Sequence, residues 1–195
     1  MTRQVSITLA FVVCAITVVV EPAPAQIAQT QAVLAQAVLH FDPLPQCPDA
    51  DVYVEKVNNA LRDPSVKGYH LIAGYSLLQL GDAFVDCTKR LSSGTPSDAI
   101  AALASVKAAT MRSAVARYAS SLHFIALYLD MHSTSALDLF VAAANGTLYD
   151  TAIIRRADDD PNDLRMASLI ESNINDLAMR YAGGRTADIY KGLPK

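Results

Sequence analysis

The chain has 195 residues, 52% of them apolar and 18% charged, with 16 basic and 19 acidic side chains and a net charge of −3. The apolar fraction excludes low-complexity disorder, and 8 Gly with 9 Pro exclude a collagen-like or Pro/Gly-rich fibre. A weakly acidic chain has no basic field for nucleic acid and little attraction for an anionic membrane surface, so no nucleic-acid partner is expected.

Residues 1–25 read as a secretory signal peptide. Arg3 supplies the positive start, Val5 to Val20 an uncharged apolar run, and Ala23-Pro24-Ala25 a small-x-small cleavage site, so the mature chain is expected to begin at Gln26 after a cut following Ala25. The 17 uncharged residues between Arg3 and Glu21 lie at the low edge of the roughly 20 needed to cross a bilayer core, so cleavage is expected rather than an uncleaved anchor. Cys14 lies inside that run and is discarded with it. The expected location is the periplasm or the extracellular space, with membrane contact only through a signal segment left uncleaved. The remaining 170 of the 195 residues suffice for one buried core.

The mature chain is predicted to be all-α, a single compact domain of about six helices over residues 26–184, followed by a C-terminal tail at 185–195. The first helix is placed at 27–41, before Pro43, Pro45 and Pro48, and the second at 49–62, before Asp63-Pro64. The third, at 68–91, carries Ala73, Leu77, Leu80, Phe84, Cys87 and Leu91 at three- and four-residue spacing. A fourth starts at the capping box Thr95-Pro96-Ser97-Asp98 and runs to about His132, its seam being Met111, Val115, Tyr118, Leu122, Ile125 and Leu129. That seam loses phase near Lys107, where a kink or register change is expected. Asn145-Gly146 reads as a turn, which divides the next stretch into helices at 135–144 and 148–157. The last helix begins in Asp158-Asp159-Asp160-Pro161-Asn162-Asp163, with acids and a proline at the positive helix end. It follows Ala167, Ile170, Ile174, Leu177 and Tyr181 and stops at Gly183-Gly184.

The stretch from Ala73 to Asp82 is similar to the first helix of a tetratricopeptide repeat. The similarity ends at Asp86, where that repeat has a small Ala, and no second copy follows. It is read as a packing solution in which Gly74 and Gly81, seven apart, admit a close neighbour.

Cys47 and Cys87 form an even pair in a compartment where disulfides persist. In a hairpin turning about Ser65, the mirror image of Cys47 is residue 83, about 6 Å of helical rise from Cys87. The non-helical Leu44-Pro45-Gln46 can absorb that offset, so a Cys47–Cys87 disulfide is expected; the alternative is a core Cys87 and a surface thiol at Cys47. Catalytic dithiols usually sit in a Cys-x-x-Cys spacing, which this chain lacks.

No cofactor or metal is expected. His40, His70, His123 and His132 stand alone in the sequence, with no Glu or Asp three positions before any of them and no His-Glu-x-x-His or Cys-x-x-Cys-His. Asp158, Asp160 and Asn162 match the first positions of a calcium loop, but Asp163 stands where the turn glycine belongs and Leu169 where the closing glutamate belongs, which leaves helix capping. There is no Gly-x-Ser-x-Gly elbow, and Ser120-Ser121 with His123 are neighbours on one helix rather than a triad. Phosphate-binding and dinucleotide-binding glycine motifs are also missing.

Asp82 and Asp86, one helical turn apart, are the first carboxylates to consider for hydrolysis, although Lys89 and Arg90 make a solvated charge ladder the simpler role. The tail with Ile189, Tyr190 and Leu193 reads either as docked on the bundle or as a partner-binding arm, and Asn145-Gly146-Thr147 fits a glycosylation acceptor. These features point first to an exported, non-enzymatic binding module whose partner is a protein or a small apolar ligand. The other expectations are a cell-envelope hydrolase with carboxylates from separate helices and a carrier with an enclosed apolar cavity.

Overall fold

A computed structural model describes residues 40–93, 99–157 and 160–194. The expected cleavage point at Ala25 and Gln26, residues 27–39 of the first expected helix, and the capping box at 95–98 lie outside these residues. The architecture is all-α: among the described residues there is no strand, and no helix is long and apolar enough to cross a membrane. After a 3₁₀ turn at Pro48–Ala50 come α1 (Asp51–Leu61), α2 (Tyr69–Ser93), α3 (Ala99–Met131), α4 (Thr134–Ala157) and α5 (Pro161–Leu177). A π-helical turn (Ala178–Ala182) and a 3₁₀ turn (Gly183–Arg185) lead into the single-turn α6 (Thr186–Ile189).

Helices adjacent in sequence pack antiparallel, as short connections require. Ser113 of α3 lies against Gly81 of α2 and Ser120 against Gly74, seven residues forward on one helix and seven back on the other. Asp150 and Gly146 of α4 meet Ser113 and Arg117 in the same antiparallel sense. One apolar cluster joins α1, α2 and the middle of α3 through Val54, Val57, Leu77, Leu80, Phe84 and Ala116. A second joins the end of α3 to α4, α5 and the tail through Phe124, Ile125, Phe140, Leu148, Ile174 and Ile189.

The regular stripes predict burial well on α2 and α5. Ala73, Leu77, Leu80, Phe84 and Cys87 are buried, as are Ala167, Ile170, Ile174 and Leu177. The start of α5 follows its sequence signals too: Pro161 opens the helix, and the Asp160 side chain accepts from the Asn162 backbone N–H at 2.8 Å.

The seam expected on α3 holds only in part. Leu122 and Ile125 are buried, but Met111, Val115 and Tyr118 are half-buried and Leu129 is exposed, while Ala109, Ser113, Ala114, Ala116 and Ser120 are buried. Small side chains face the neighbours because they let backbones approach: Ser113 and Ser120 donate to the Gly81 and Gly74 carbonyls at 3.0 and 2.8 Å. A polar count marks these serines as surface; their hydrogen bonds put them in the core. The helix continues through Lys107 without a break.

The turn expected at Asn145-Gly146 is also corrected, since α4 is one helix from Thr134 to Ala157. Both residues serve packing instead. A Cβ at Gly146 would lie 2.7 Å from Arg117 Nη1, so a side chain there would push the guanidinium aside. Asn145 Nδ2 donates to the carbonyls of Ile189 and Lys191 at 2.8 and 2.9 Å, which pins the tail to α4. An amide committed to those two bonds inside a helix is not presented as a glycosylation acceptor in the folded chain. The tail docks on the bundle, with Ile189 fully buried and the Tyr190 hydroxyl donating to Asn175 Oδ1 at 2.8 Å. Gly183, at φ +51°, adopts a positive-φ conformation that residues with a side chain rarely take, and it ends the π-helical turn that follows α5.

Cys47 and Cys87 are disulfide-bonded, with Cα atoms 5.6 Å apart. The expected offset vanishes because the hairpin turns later than Ser65. Lys56 Nζ donates to Gln79 Oε1 at 2.6 Å, and continuing that register sets residue 47 opposite residues 87 and 88. The bridge fits an exported compartment.

Candidate functional site

The bridge borders a polar groove of about 490 Å³, lined by Asp49, Tyr53, Gln79, Asp82, Asp86 and Arg90. The two aspartates chosen from the sequence therefore share one groove. Each is already engaged: Asp86 with Lys89 at 2.9 Å, and Asp82 with Arg117 at 2.7 Å. Asp49 pairs with Arg90.

Arg117 leads from this groove into the core. Its side chain passes between Gly81 and Gly146, where added Cβ atoms would lie 2.6 Å from its Cγ and 2.7 Å from its Nη1. Beyond that slot, Nη1 stands 3.5 Å from Oδ2 of Asp150, which also accepts from Ser113 Oγ at 2.6 Å. Burial, partly offset by Arg117 and then Ser113, pushes the Asp150 carboxyl up to about 6, and Asp82 adds a small upward push. The one groove carboxylate in contact with Arg117 is thus linked through it to a second carboxylate that solvent does not reach. Asp150 was missed in the sequence, although a signal exists: Phe140, Ala143, Thr147, Asp150 and Ile154 recur at three- and four-residue spacing, which sets a lone acid on a buried stripe. A hydrolase pair needs a carboxyl of raised pKa inside the cleft, whereas Asp150 is 2% exposed and points into the α2–α3–α4 packing.

A second groove, of about 300 Å³, opens between α1 and α2 and is mostly apolar. Its walls include Ala60, Val66, Tyr69 and Ile72, and its rim carries Lys56 and Asp63. Val66 and Ile72 are each 47% exposed, and Leu71 and Tyr75 extend the apolar surface along α2. Asp63 is held below the usual carboxylate range by the Ser65 hydroxyl and backbone N–H, which both donate to it.

Behind the Tyr69 wall the fold joins two histidines that looked solitary in the sequence. His70 of α2 and His123 of α3 face each other with Nδ1 atoms 3.1 Å apart, and the Tyr69 ring stands edge-on to both at centroid distances of 5.3 Å. His123 is buried, and its Nε2 has no hydrogen-bond partner among the described residues. Burial, then the neighbouring His70, pushes His123 down to about 4; burial also lowers His70, against an opposing pull from Asp130.

Compared with protein-family models, curated proteins and solved structures, the chain gives no match. Its own residues carry the functional reading. Among the described residues no group of three or more His, Cys, Asp or Glu is arranged to hold a metal ion. Ser120 and Ser121, considered beside His123 as a nucleophile arrangement, donate instead to the carbonyls of Gly74 and Arg117 at 2.8 and 2.9 Å.

Proposed function

We propose that this chain is an exported binding module that receives an apolar segment of a protein partner in the groove between α1 and α2. The observation that carries this reading is the exposure of Val66 and Ile72 on the walls of an apolar groove whose rim offers one cation and one anion, Lys56 and Asp63. Aliphatic side chains left in water are an unused source of binding free energy, worth roughly 25 cal/mol for each Å² covered. Size supports a peptide rather than a carried small molecule. About 300 Å³ lies at the bottom of the range for ligand pockets, and the groove is half open to solvent rather than enclosed. Lys56 and Asp63, which are bonded to the neutral Gln79 and Ser65, keep their charges at its edge to fix the direction of a bound backbone. The Cys47–Cys87 bridge supports an oxidising location for this activity.

A photo-crosslinking residue placed at position 72 in the native host tests the reading. The expected outcome is a discrete protein adduct from position 72, absent from position 86 in the polar groove and lost when Val66→Asp is added. Identical adducts from both positions, or none from position 72, would count against it.

A further inference from the structure

We propose that the His70–His123 contact is an acid-released latch on the Tyr69 wall of the apolar groove, so that acidification weakens the hold on an apolar segment. This regulation rests on the groove-binding reading given above.

The contact has room for one hydrogen. With Nδ1 atoms 3.1 Å apart, one imidazole donates and the other accepts. The unpartnered Nε2 of His123 decides which. Were His123 the acceptor, that buried Nε2 would carry an N–H with nothing to receive it; as donor, His123 leaves only a bare lone pair, the lesser defect. The bond therefore runs from His123 Nδ1–H to His70 Nδ1, an assignment made from the hydrogen-bonding pattern.

A proton from solvent has no good place in this arrangement. On His70 Nδ1 it sets two N–H groups face to face, unless His123 moves its own proton to the unpartnered Nε2. On His123 Nε2 it creates a buried cation without an acceptor. The unfavourable protonation is relieved when His70, which sits at the half-buried side of the contact, turns toward water and toward Asp130 of α3. Tyr69, adjacent in sequence and packed edge-on against both rings, then loses its backing. Because Tyr69 also walls the groove, the groove changes with it.

The ionisable groups acting on the pair are Tyr69 from α2 and Asp130 from α3. At the rim stand Lys56 from α1 and Asp63 from the α1–α2 connection. Burial raises Tyr69, so it stays neutral throughout the acid range, and the Ser65 bonds keep Asp63 ionised further into acid than an ordinary carboxylate. The latch answers to the two histidines, with His123 held down to about 4 and His70 below its ordinary value by burial, so the test must reach below pH 4.

The chain contains no tryptophan, so Tyr69→Trp in the full-length protein gives an emission signal from the groove wall alone. The expected result is a red shift between pH 7.5 and 3.5 with helix content by circular dichroism unchanged. The shift should disappear when His123→Phe, which fills the buried ring position without titrating, is added. His70→Gln, on the more exposed side, provides a second non-titrating background should the first fold poorly. The same red shift in either folded double variant, no shift in Tyr69→Trp alone, or a shift accompanied by loss of helix would overturn the latch. In parallel, the apolar fluorophore ANS should bind the wild-type chain up to about tenfold more weakly at pH 3.5 than at 7.5, corresponding to one unit of coupled pKa. Equal affinity at both pH values would overturn the link to binding. Failure of ANS to depend on Ile72 (tested with Ile72→Asp at pH 7.5) would remove the groove reading, while the tryptophan shift would still decide the latch.

Discussion

The His70–His123 contact and the Ser113–Asp150–Arg117 contact both tie α3 to a neighbouring helix, but burial keeps a base without its proton in the first, whereas in the second it keeps a proton on an acid against the pull of Arg117 and Ser113. Asp150 is raised from 3.8 to about 6, so its favourable contribution is complete below pH 3.8 and is lost as pH rises through about 6. His123 is lowered from 6.5 to about 4, so its contribution is complete above pH 6.5 and is lost as pH falls through about 4. Each shift corresponds to about 3 kcal/mol, and over the same acidic window the two act in opposite directions. The comparison teaches that a nearly flat stability profile can arise from two steep and opposed ones. It also explains how a local latch can respond to acid without unfolding the helices around it.

The harshest way to break this balance is Arg117→Met, which removes the only cation facing Asp150 among the described residues. It should cost about 1–2 kcal/mol more at pH 7, where Asp150 of the wild-type chain is ionised and that of the variant takes up a proton, than at pH 5, where both are protonated. Urea denaturation at the two pH values reads the difference. Reducing the Cys47–Cys87 bridge is the control: it should remove up to about 4 kcal/mol by releasing a loop of about 40 residues, by a similar amount at each pH, because neither half of the balance uses it.

Two substitutions should then separate the opposed slopes. With Asp150→Asn only the histidine response remains, and stability should fall by about 3 kcal/mol between pH 6.5 and 4. With His123→Phe the Asp150 response outweighs what His70 leaves on the other side, so stability should rise, by up to about 3 kcal/mol, as pH falls from about 7 to 4. Parallel profiles in the two variants would remove the opposition. The smallest effect belongs to the exposed pair in the polar groove. Asp86→Asn should change stability by less than about 0.5 kcal/mol, because a surface ion pair with Lys89 is screened by solvent.

The two contacts were unequally visible in the sequence. Asp150 falls on the buried stripe of α4 and could have been marked as an acid out of place; the turn signal at Asn145-Gly146 hid that stripe by dividing the helix. His70 and His123 carry no local signal at all, because the feature that matters is their facing across 53 residues. The serines of α3 mislead for a related reason. Ser113 and Ser120 look like surface residues until the partner carbonyls of Gly81 and Gly74 are in place. Cys47 and Cys87 were legible because hairpin geometry converts a spacing along the chain into a distance between helices.

By itself, the sequence determined the helical class, the apolar faces of α2 and α5, the proline-led start of α5 and the cysteine pairing. These follow from local periodicity, from caps that act within one turn, or from the geometry of one short hairpin. Tertiary structure alone decided that Asn145 clamps the tail, that Arg117 threads between two glycines to a buried acid, and that two distant histidines share one hydrogen beside an apolar groove. Those outcomes depend on which side chains meet across antiparallel helices, and that register is set by close packing between elements far apart in the chain.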